Sequence, residues 1–394
     1  MENFVYCAPT KVIFGKGTIG TLNKEIAALC SKKVMVVYGS SRIETTGLLS
    51  NILKEIKLAC ADYVCFPGVK ANPTVAHTRE GIKIAKEYKP DLLLAIGGGS
   101  AIDTAKAISI GALTNADVWD IWTRKASVDK AINVASILTI PAAGSEMSNS
   151  AVLTNEETGQ KIGLSLEIYR CKFTIMDPTY AQTLPKKQIA CGVVDIMMHT
   201  LDRYFNKKEI QHNHMTDAIA HGLLKTVIKW GKIVYEDPTN YEAMSEIMWA
   251  GSLSHNDLTG LGGGRDFSIH QFGHELSAKY DITHGESLSA VFGAWCRYVM
   301  DTNIERFALY AKEVWGIDGN TEEAAVKGII KTEEFFASLD MPITIPQLKC
   351  GILDKTTLDE LAERCTRHGQ RKIGTFKPLD TEGVKEVYYL ANCV

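Results

Sequence analysis

The chain contains 10 cysteines in 394 residues, yet none of them falls in C-x-x-C spacing. Scattered thiols of that kind argue against a thiolate zinc site or a disulfide framework, and a chain of this length needs no such staples. Reduced cysteines in a cytoplasmic setting are the expectation. Long apolar runs are missing too. The longest, around Leu92 to Ile96 and Ile132 to Ile140, fall well short of the roughly 20 residues that a spanning helix needs. The opening residues, Met1-Glu2-Asn3-Phe4, lack a basic stretch followed by an apolar one, so no signal peptide is expected. A surplus of either charge is also absent. A formal net charge of -3 sets up no field that would favour nucleic acid or an anionic membrane. There is no internal repeat and no low-complexity tail. The partners left are small molecules and further copies of the chain.

The chain exceeds what one hydrophobic core usually organises, and 45% apolar residues suffice for two. From Val34 onward, short aliphatic runs alternate with helical periodicity. The pattern predicts strands at 34–38, 62–66, 91–96, 133–139 and 172–176, and helices at 45–58, 75–88 and 100–112. That alternation is the signature of a parallel sheet flanked by helices, which binds ligands beyond the carboxyl ends of its strands. Residues 152–161 read as two strands joined by a polar loop. After Leu184-Pro185 the strand signals largely stop, which predicts an α/β domain over 1–185 and an all-helical domain over 186–394.

Gly15, Gly17 and Gly20 match G-x-G-x-x-G, but the strand that should end in a ribose-binding acid, Val34 to Tyr38, runs instead into Gly39-Ser40-Ser41-Arg42. A turn and helix entry is the better reading of these glycines. Gly97-Gly98-Gly99-Ser100 follows a fully apolar strand and opens a helix through Asp103. Its backbone N–H groups would form a cradle for a pyrophosphate, with an ordinary tight turn as the alternative. Hydroxyls and an arginine at Gly39 to Arg42 suit a ribose carrying a 2′-phosphate. NADP is therefore favoured and NAD is the alternative.

In Asp195-Ile196-Met197-Met198-His199 a carboxylate and an imidazole project from one face of an otherwise apolar helix, one turn apart. A cap or surface role for Asp195 is the alternative, but an apolar helix turns the acid inward, where an unpaired carboxylate is costly. His270 and His274 repeat the spacing, and His284 follows beside Gly285. Oxygen and imidazole donors suit borderline ions such as iron(II), zinc, nickel or cobalt.

Taken in order, Phe14-Gly15-Lys16-Gly17, Asn72-Pro73-Thr74, Gly97-Gly98-Gly99-Ser100, Gly144-Ser145-Glu146, Gly192-Val193-Val194-Asp195, His270, His274-Glu275 and His284-Gly285 resemble the iron-containing (group III) alcohol dehydrogenase family, butanol dehydrogenase-like branch. The resemblance implies a dehydroquinate synthase-like fold, with an N-terminal nucleotide-binding α/β domain and a C-terminal all-α metal-binding domain. It implies metal ligation by Asp195, His199, His270 and His284, with iron as the expected ion and zinc or nickel as alternatives. Cofactor contacts are implied at Gly39, Ser40, Ser41, Arg42, Asn72, Gly97, Gly98, Gly99, Ser100, Asp103, Thr139, Ser145, Lys161 and Tyr180. Ala143 departs from the family, where a threonine is common. His274 matches a family histidine close to the metal but not bound to it, and either relays a proton or orients the site. The implied activity is hydride transfer between NAD(P)H and a short- to medium-chain primary alcohol or aldehyde, by a homodimer or larger homo-oligomer. Three other readings are a dehydroquinate synthase-like lyase, a glycerol dehydrogenase-like polyol oxidoreductase, and a non-catalytic nucleotide or metal sensor. The first would require several basic residues near the metal, whereas Phe267, Ile269 and Phe272 flank His270.

Overall fold

A computed structural model describes residues 2–39, 42–206 and 213–393. The chain divides into two compact units, one over Cys7–Thr183 and the other over Leu184–Val394 together with Met1–Tyr6.

The first unit is built on a parallel sheet of β1 (Lys11–Phe14), β2 (Lys33–Tyr38), β3 (Asp62–Phe66), β4 (Leu92–Gly97) and β5 (Asn133–Leu138). After an antiparallel pair, β6 (Ser150–Asn155) and β7 (Gln160–Ser165), the sheet is completed by β8 (Phe173–Met176). The order is β1-β8-β5-β4-β2-β3, and every neighbouring pair is parallel. In β2 and β4 five consecutive residues are buried, because helices cover both faces. The chain leaves β2 for β3 on one side and returns as β4 on the other, so the order reverses between β2 and β4. Tyr38 there lies opposite Ile96. A ligand crevice in such sheets opens at that reversal, beyond the carboxyl ends. Gly39 and Gly97 stand at those two ends.

Two details depart from the sequence pattern. The helix expected over 45–58 is two helices, Arg42–Thr45 and Leu48–Leu58, parted at Gly47, whose φ of +75° is a left-handed conformation that glycine adopts without strain. A helix over Val118–Trp122, capped by Asp117, has no counterpart in the pattern because five residues are too few to show a helical period. The glycines of the G-x-G-x-x-G match form a turn into the helix Leu22–Ala28, and the Gly17 N–H donates to Asp177 at 2.7 Å.

One buried ammonium organises the polar segment between β5 and β6. Lys106, on the helix Gly99–Gly111, donates to the carbonyls of Ser145, Ser148 and Ser150 at 2.7, 2.9 and 2.8 Å, and touches Ser145 Oγ at 3.1 Å. The β6–β7 hairpin is held in turn by Thr154 N–H on Pro73 O at 2.8 Å.

The second unit is helical around Lys186–Tyr204. That helix is buried without a break from Ile189 to Tyr204, and it packs against the helices His214–Glu236, Tyr241–Ser254, Ser268–Tyr280 and His284–Val299. A helix enclosed on every side turns its polar residues into the interior as well as its apolar ones. Among the described residues no helix is long and apolar enough to cross a membrane.

Replacing Lys106 by methionine leaves three interior carbonyls without their donor. Lys106→Met is expected to lower stability by about 3 kcal/mol or more, read as a lower urea midpoint; an unchanged midpoint would contradict the anchoring role.

Candidate metal centre

Asp195 and His199 lie one turn apart on the central helix of the second unit, 4% and 5% exposed. His270 comes from the helix Ser268–Tyr280, and His284 is the first residue of the helix His284–Val299. Gly285 lets that last helix start against the central one: a Cβ there would lie 2.6 Å from the Cα and carbonyl oxygen of Cys191. Any larger residue would push His284 away. Phe267, immediately before the His270 helix, holds a left-handed φ of 56°, an uncommon and costly conformation for a bulky residue. It places the ring between His270, at 5.0 Å centroid to centroid, and the Arg203 guanidinium at 4.9 Å.

The side chains converge on one atom. Asp195 Oδ1 lies 3.7 Å from His199 Nδ1 and 3.8 Å from both His270 Nε2 and His284 Nε2. An ion that bonds nitrogen and oxygen at about 2.0–2.2 Å holds two of its ligand atoms at most about 4.4 Å apart, so these separations fit a shared centre. Ligand atoms of Asp195, His199 and His270 all lie within 4.8 Å of one another, and all three residues are buried. His284 joins this trio through Asp195, and its side chain is 26% exposed where the Asp195, His199 and His270 side chains keep 6%. The cluster is therefore most open on the side of His284. Among the described residues, His199 Nδ1 and His270 Nε2 have no hydrogen-bond partner. Buried nitrogens left in that state are costly unless something else uses their lone pairs.

Protonation differs between the two buried rings. Burial pushes His199 down to about 3, against the pull of Asp195, so its lone pair is available at neutral pH. Burial also acts to lower His270, but the carboxylates of Asp195 and Asp202 outweigh it and hold the imidazole up at about 8. His274 is buried, its ring 5.5 Å from His284 and 6.4 Å from His270.

Three neighbours that the sequence pattern does not single out complete the surroundings. Asp202, one turn beyond His199, bonds His270 Nδ1. Arg203 donates to the His199 carbonyl at 2.9 Å and meets His255 Nδ1 at 3.1 Å. His255 lies against His199 with ring centroids 4.0 Å apart. Only the i+7 spacing from Asp195 to Asp202 was available as a signal, because contacts across helices leave none.

In the first unit, the residues with implied cofactor contacts gather at the β2 and β4 ends, where their polar atoms largely serve the protein. Ser40 and Ser41 lie outside the described residues. Gly39 packs on the backbone, since a Cβ there would come within 2.3 Å of Val69 O. Arg42 donates to Tyr180 O at 2.7 Å. Lys161 donates to Asn72 Oδ1 at 3.0 Å, Ser100 Oγ to Ala71 O at 2.5 Å, and Thr139 N–H to Gly97 O at 3.0 Å. Asp103 accepts from Ser145 Oγ at 2.6 Å and from Val152 N–H at 2.9 Å, holding Ser145 and the hairpin beside the triple-glycine turn. Gly98 and Gly99 press on the neighbouring loop, where added Cβ atoms would lie 2.9 Å from the Cβ of Ile140 and of Ala143 respectively. One feature differs from the sequence expectation. A carboxylate does stand beside the end of β2, because the short helix Arg42–Thr45 brings Glu44 back to accept from Tyr38 Oη at 2.9 Å.

Residues 9–178 match the family model for iron-containing alcohol dehydrogenase, and residues 189–391 match that for the C-terminal region of the Fe-containing alcohol dehydrogenase family. The chain belongs to the iron-containing alcohol dehydrogenase family. This alcohol dehydrogenase family member is 40% identical over 394 residues to NADH-dependent butanol dehydrogenase A of Clostridium acetobutylicum, covering 98% of this chain and 99% of that protein. It is 32% identical over 395 residues to NADPH-dependent aldehyde reductase YqhD of Escherichia coli, covering 99% of this chain and 100% of that protein. The crystal structure of NADH-dependent butanol dehydrogenase A from Thermotoga maritima matches it with a TM-score of 0.95 at 33% identity, covering 100% of this chain and 99% of that one. These likenesses place it on the butanol dehydrogenase-like branch.

Metal affinity should depend on pH in a defined sense. Below about 8, His270 carries a proton that a cation must displace, so affinity for Zn²⁺ is expected to fall about tenfold per pH unit on acidification. His199 adds no such loss until about 3. Calorimetric titrations between pH 6 and 9 check this, and a flat profile would contradict it.

Proposed function

We propose that this iron-containing alcohol dehydrogenase family member transfers hydride between a nicotinamide dinucleotide and a short- to medium-chain primary alcohol or aldehyde, at a divalent metal held by Asp195, His199, His270 and His284. The observation that carries the reading is the spacing of three imidazole nitrogens at 3.7 to 3.8 Å from one buried carboxylate oxygen. A divalent ion bound there supplies the Lewis acidity that lets an alcohol oxygen lose its proton and an aldehyde carbonyl accept hydride. NAD(P)H supplies the hydride, so the protein's own task is mainly positioning.

Apolar residues around the ligands do part of that work. Phe267 lies beside His270, and Ile269 and Phe272 are fully buried on the same helix. They strengthen electrostatic attraction within the site by keeping water from the ligands. His274, one turn beyond His270 and 5.5 Å ring to ring from the more exposed His284, would hand a proton between the substrate oxygen and solvent. The triple-glycine turn at the end of β4 offers N–H groups and a helix N-terminus to a pyrophosphate. Gly39 and Arg42 would flank the adenosine ribose, and the choice between NAD and NADP depends on how the Glu44 carboxylate beside that strand end meets a 2′-phosphate. Ten free thiols support a reducing cytoplasm. Phe4, Val5 and Tyr6, at 48%, 93% and 40% exposure, support association of two or more copies.

The test is to load purified protein separately with Fe²⁺, Zn²⁺ and Ni²⁺ and to follow NADH and NADPH oxidation with butanal. Metal-dependent turnover is expected with at least one pairing, and its absence with all of them would overturn the activity. His270→Ala is expected to lose both metal and rate; a variant that keeps both removes the ligand assignment. His274→Ala should keep its metal while kcat falls about 10²- to 10⁴-fold and the pH–rate profile loses a limb, whereas an unaltered profile would remove the proton-transfer role.

A further inference from the structure

We infer that Asp202 is a positioning residue: by accepting the Nδ1 proton of His270 it selects the tautomer whose Nε2 faces Asp195, and so governs how tightly the site holds a divalent cation. The inference rests on the metal site proposed above and concerns a residue outside the ligand set.

The geometry leaves the ring little choice. An ionised carboxylate only accepts hydrogen bonds, and a neutral imidazole carries one N–H and one lone pair. With Nδ1 against Asp202 Oδ2, the N–H must sit on Nδ1. The lone pair then belongs to Nε2, 3.8 Å from Asp195 Oδ1. The opposite tautomer would aim an N–H into the cluster and exclude a cation from that nitrogen. An imidazole ligand held through its other nitrogen by a carboxylate is also a stronger donor.

Asp202 is itself immobilised. Its side chain is fully buried, and its second oxygen has no hydrogen-bond partner among the described residues, an arrangement that is costly and calls for a compensating role. Its carbonyl accepts from Asp266 N–H at 2.8 Å. The Asp266 carboxylate in turn accepts from the N–H groups of Ser268, Thr375 and Phe376 at 2.9, 2.5 and 2.8 Å, fixing the start of the His270 helix. Asp202 and His270 therefore belong to two helices joined at two points, and the carboxylate cannot swing away as a surface acid would. Asp195, His199 and Asp202 occupy positions i, i+4 and i+7 of one helix, a single stripe that carries two ligands and the group that aims a third.

The experiment is titration of the metal-free protein with Co²⁺ alone, followed by its visible absorption and by competition with a chromophoric chelator, for wild type, Asp202→Asn and His270→Ala. Asp202→Asn is expected to keep the fold by circular dichroism and to bind Co²⁺ about 10- to 100-fold more weakly, with an altered absorption band. If it will not fold, the same weakening is expected of the smaller, neutral Asp202→Ser. Wild-type affinity and spectrum in the folded variant, with only stability changed, would overturn the positioning role. If His270→Ala also binds as wild type, the metal-site reading itself fails; if His270→Ala alone is weakened, only this inference does.

Discussion

A carboxylate oxygen shared among imidazoles from three helices constrains the whole second unit. Asp195 Oδ1 stands 3.7 to 3.8 Å from a ring nitrogen of each of His199, His270 and His284, too far for good hydrogen bonds and within the span that one cation bridges. His199 Nδ1 and His270 Nε2, without a hydrogen-bond partner among the described residues, are unfavourable by themselves, so the surrounding residues must force the convergence. Steric fit does part of this: Gly285 admits the His284 helix against Cys191, and Phe267 adopts a left-handed backbone to start the His270 helix. Hydrogen bonds do the rest, through Asp202 on His270 and Arg203 on the His199 carbonyl. A cation bound among these residues would therefore couple to the folding of this cluster.

The first unit solves a different problem with fewer charges. Glycines occupy the ends of β2 and β4, where a Cβ would strike neighbouring backbone or side chains, and the polar side chains nearby are tied to the protein. Lys106 and Asp103 are the clearest cases. One gathers three carbonyls beneath the loop and the other holds Ser145 and the β6–β7 hairpin. Both ties make a rigid surface beside the triple-glycine turn, whose N–H groups are the proposed pyrophosphate contacts.

Much of this was legible in the sequence because it follows from local periodicity. Aliphatic runs marked β2, β4 and β5, the alternation around 152–161 marked the hairpin, and an apolar helix carrying Asp195 and His199 marked the centre. What escaped depends on contacts between distant segments or on very short elements. The break at Gly47 and the helix Val118–Trp122 are below the length at which a period shows. Glu44 returns to Tyr38 only because a single helical turn follows β2. His255 is pressed on His199 and Asp202 joined to His270 by helix packing, which no spacing records. The family resemblance added Asn72, Thr139, Lys161 and Tyr180 to the expected cofactor positions, which residue chemistry alone would have left open.

The central claim is that three imidazoles and one carboxylate hold a single cation. X-ray absorption on the Co²⁺-loaded protein examines it directly. The account predicts a nitrogen and oxygen shell at about 2.0–2.2 Å with the outer scattering of three imidazole rings. A spectrum without imidazole scattering, or with a sulfur shell, would contradict it.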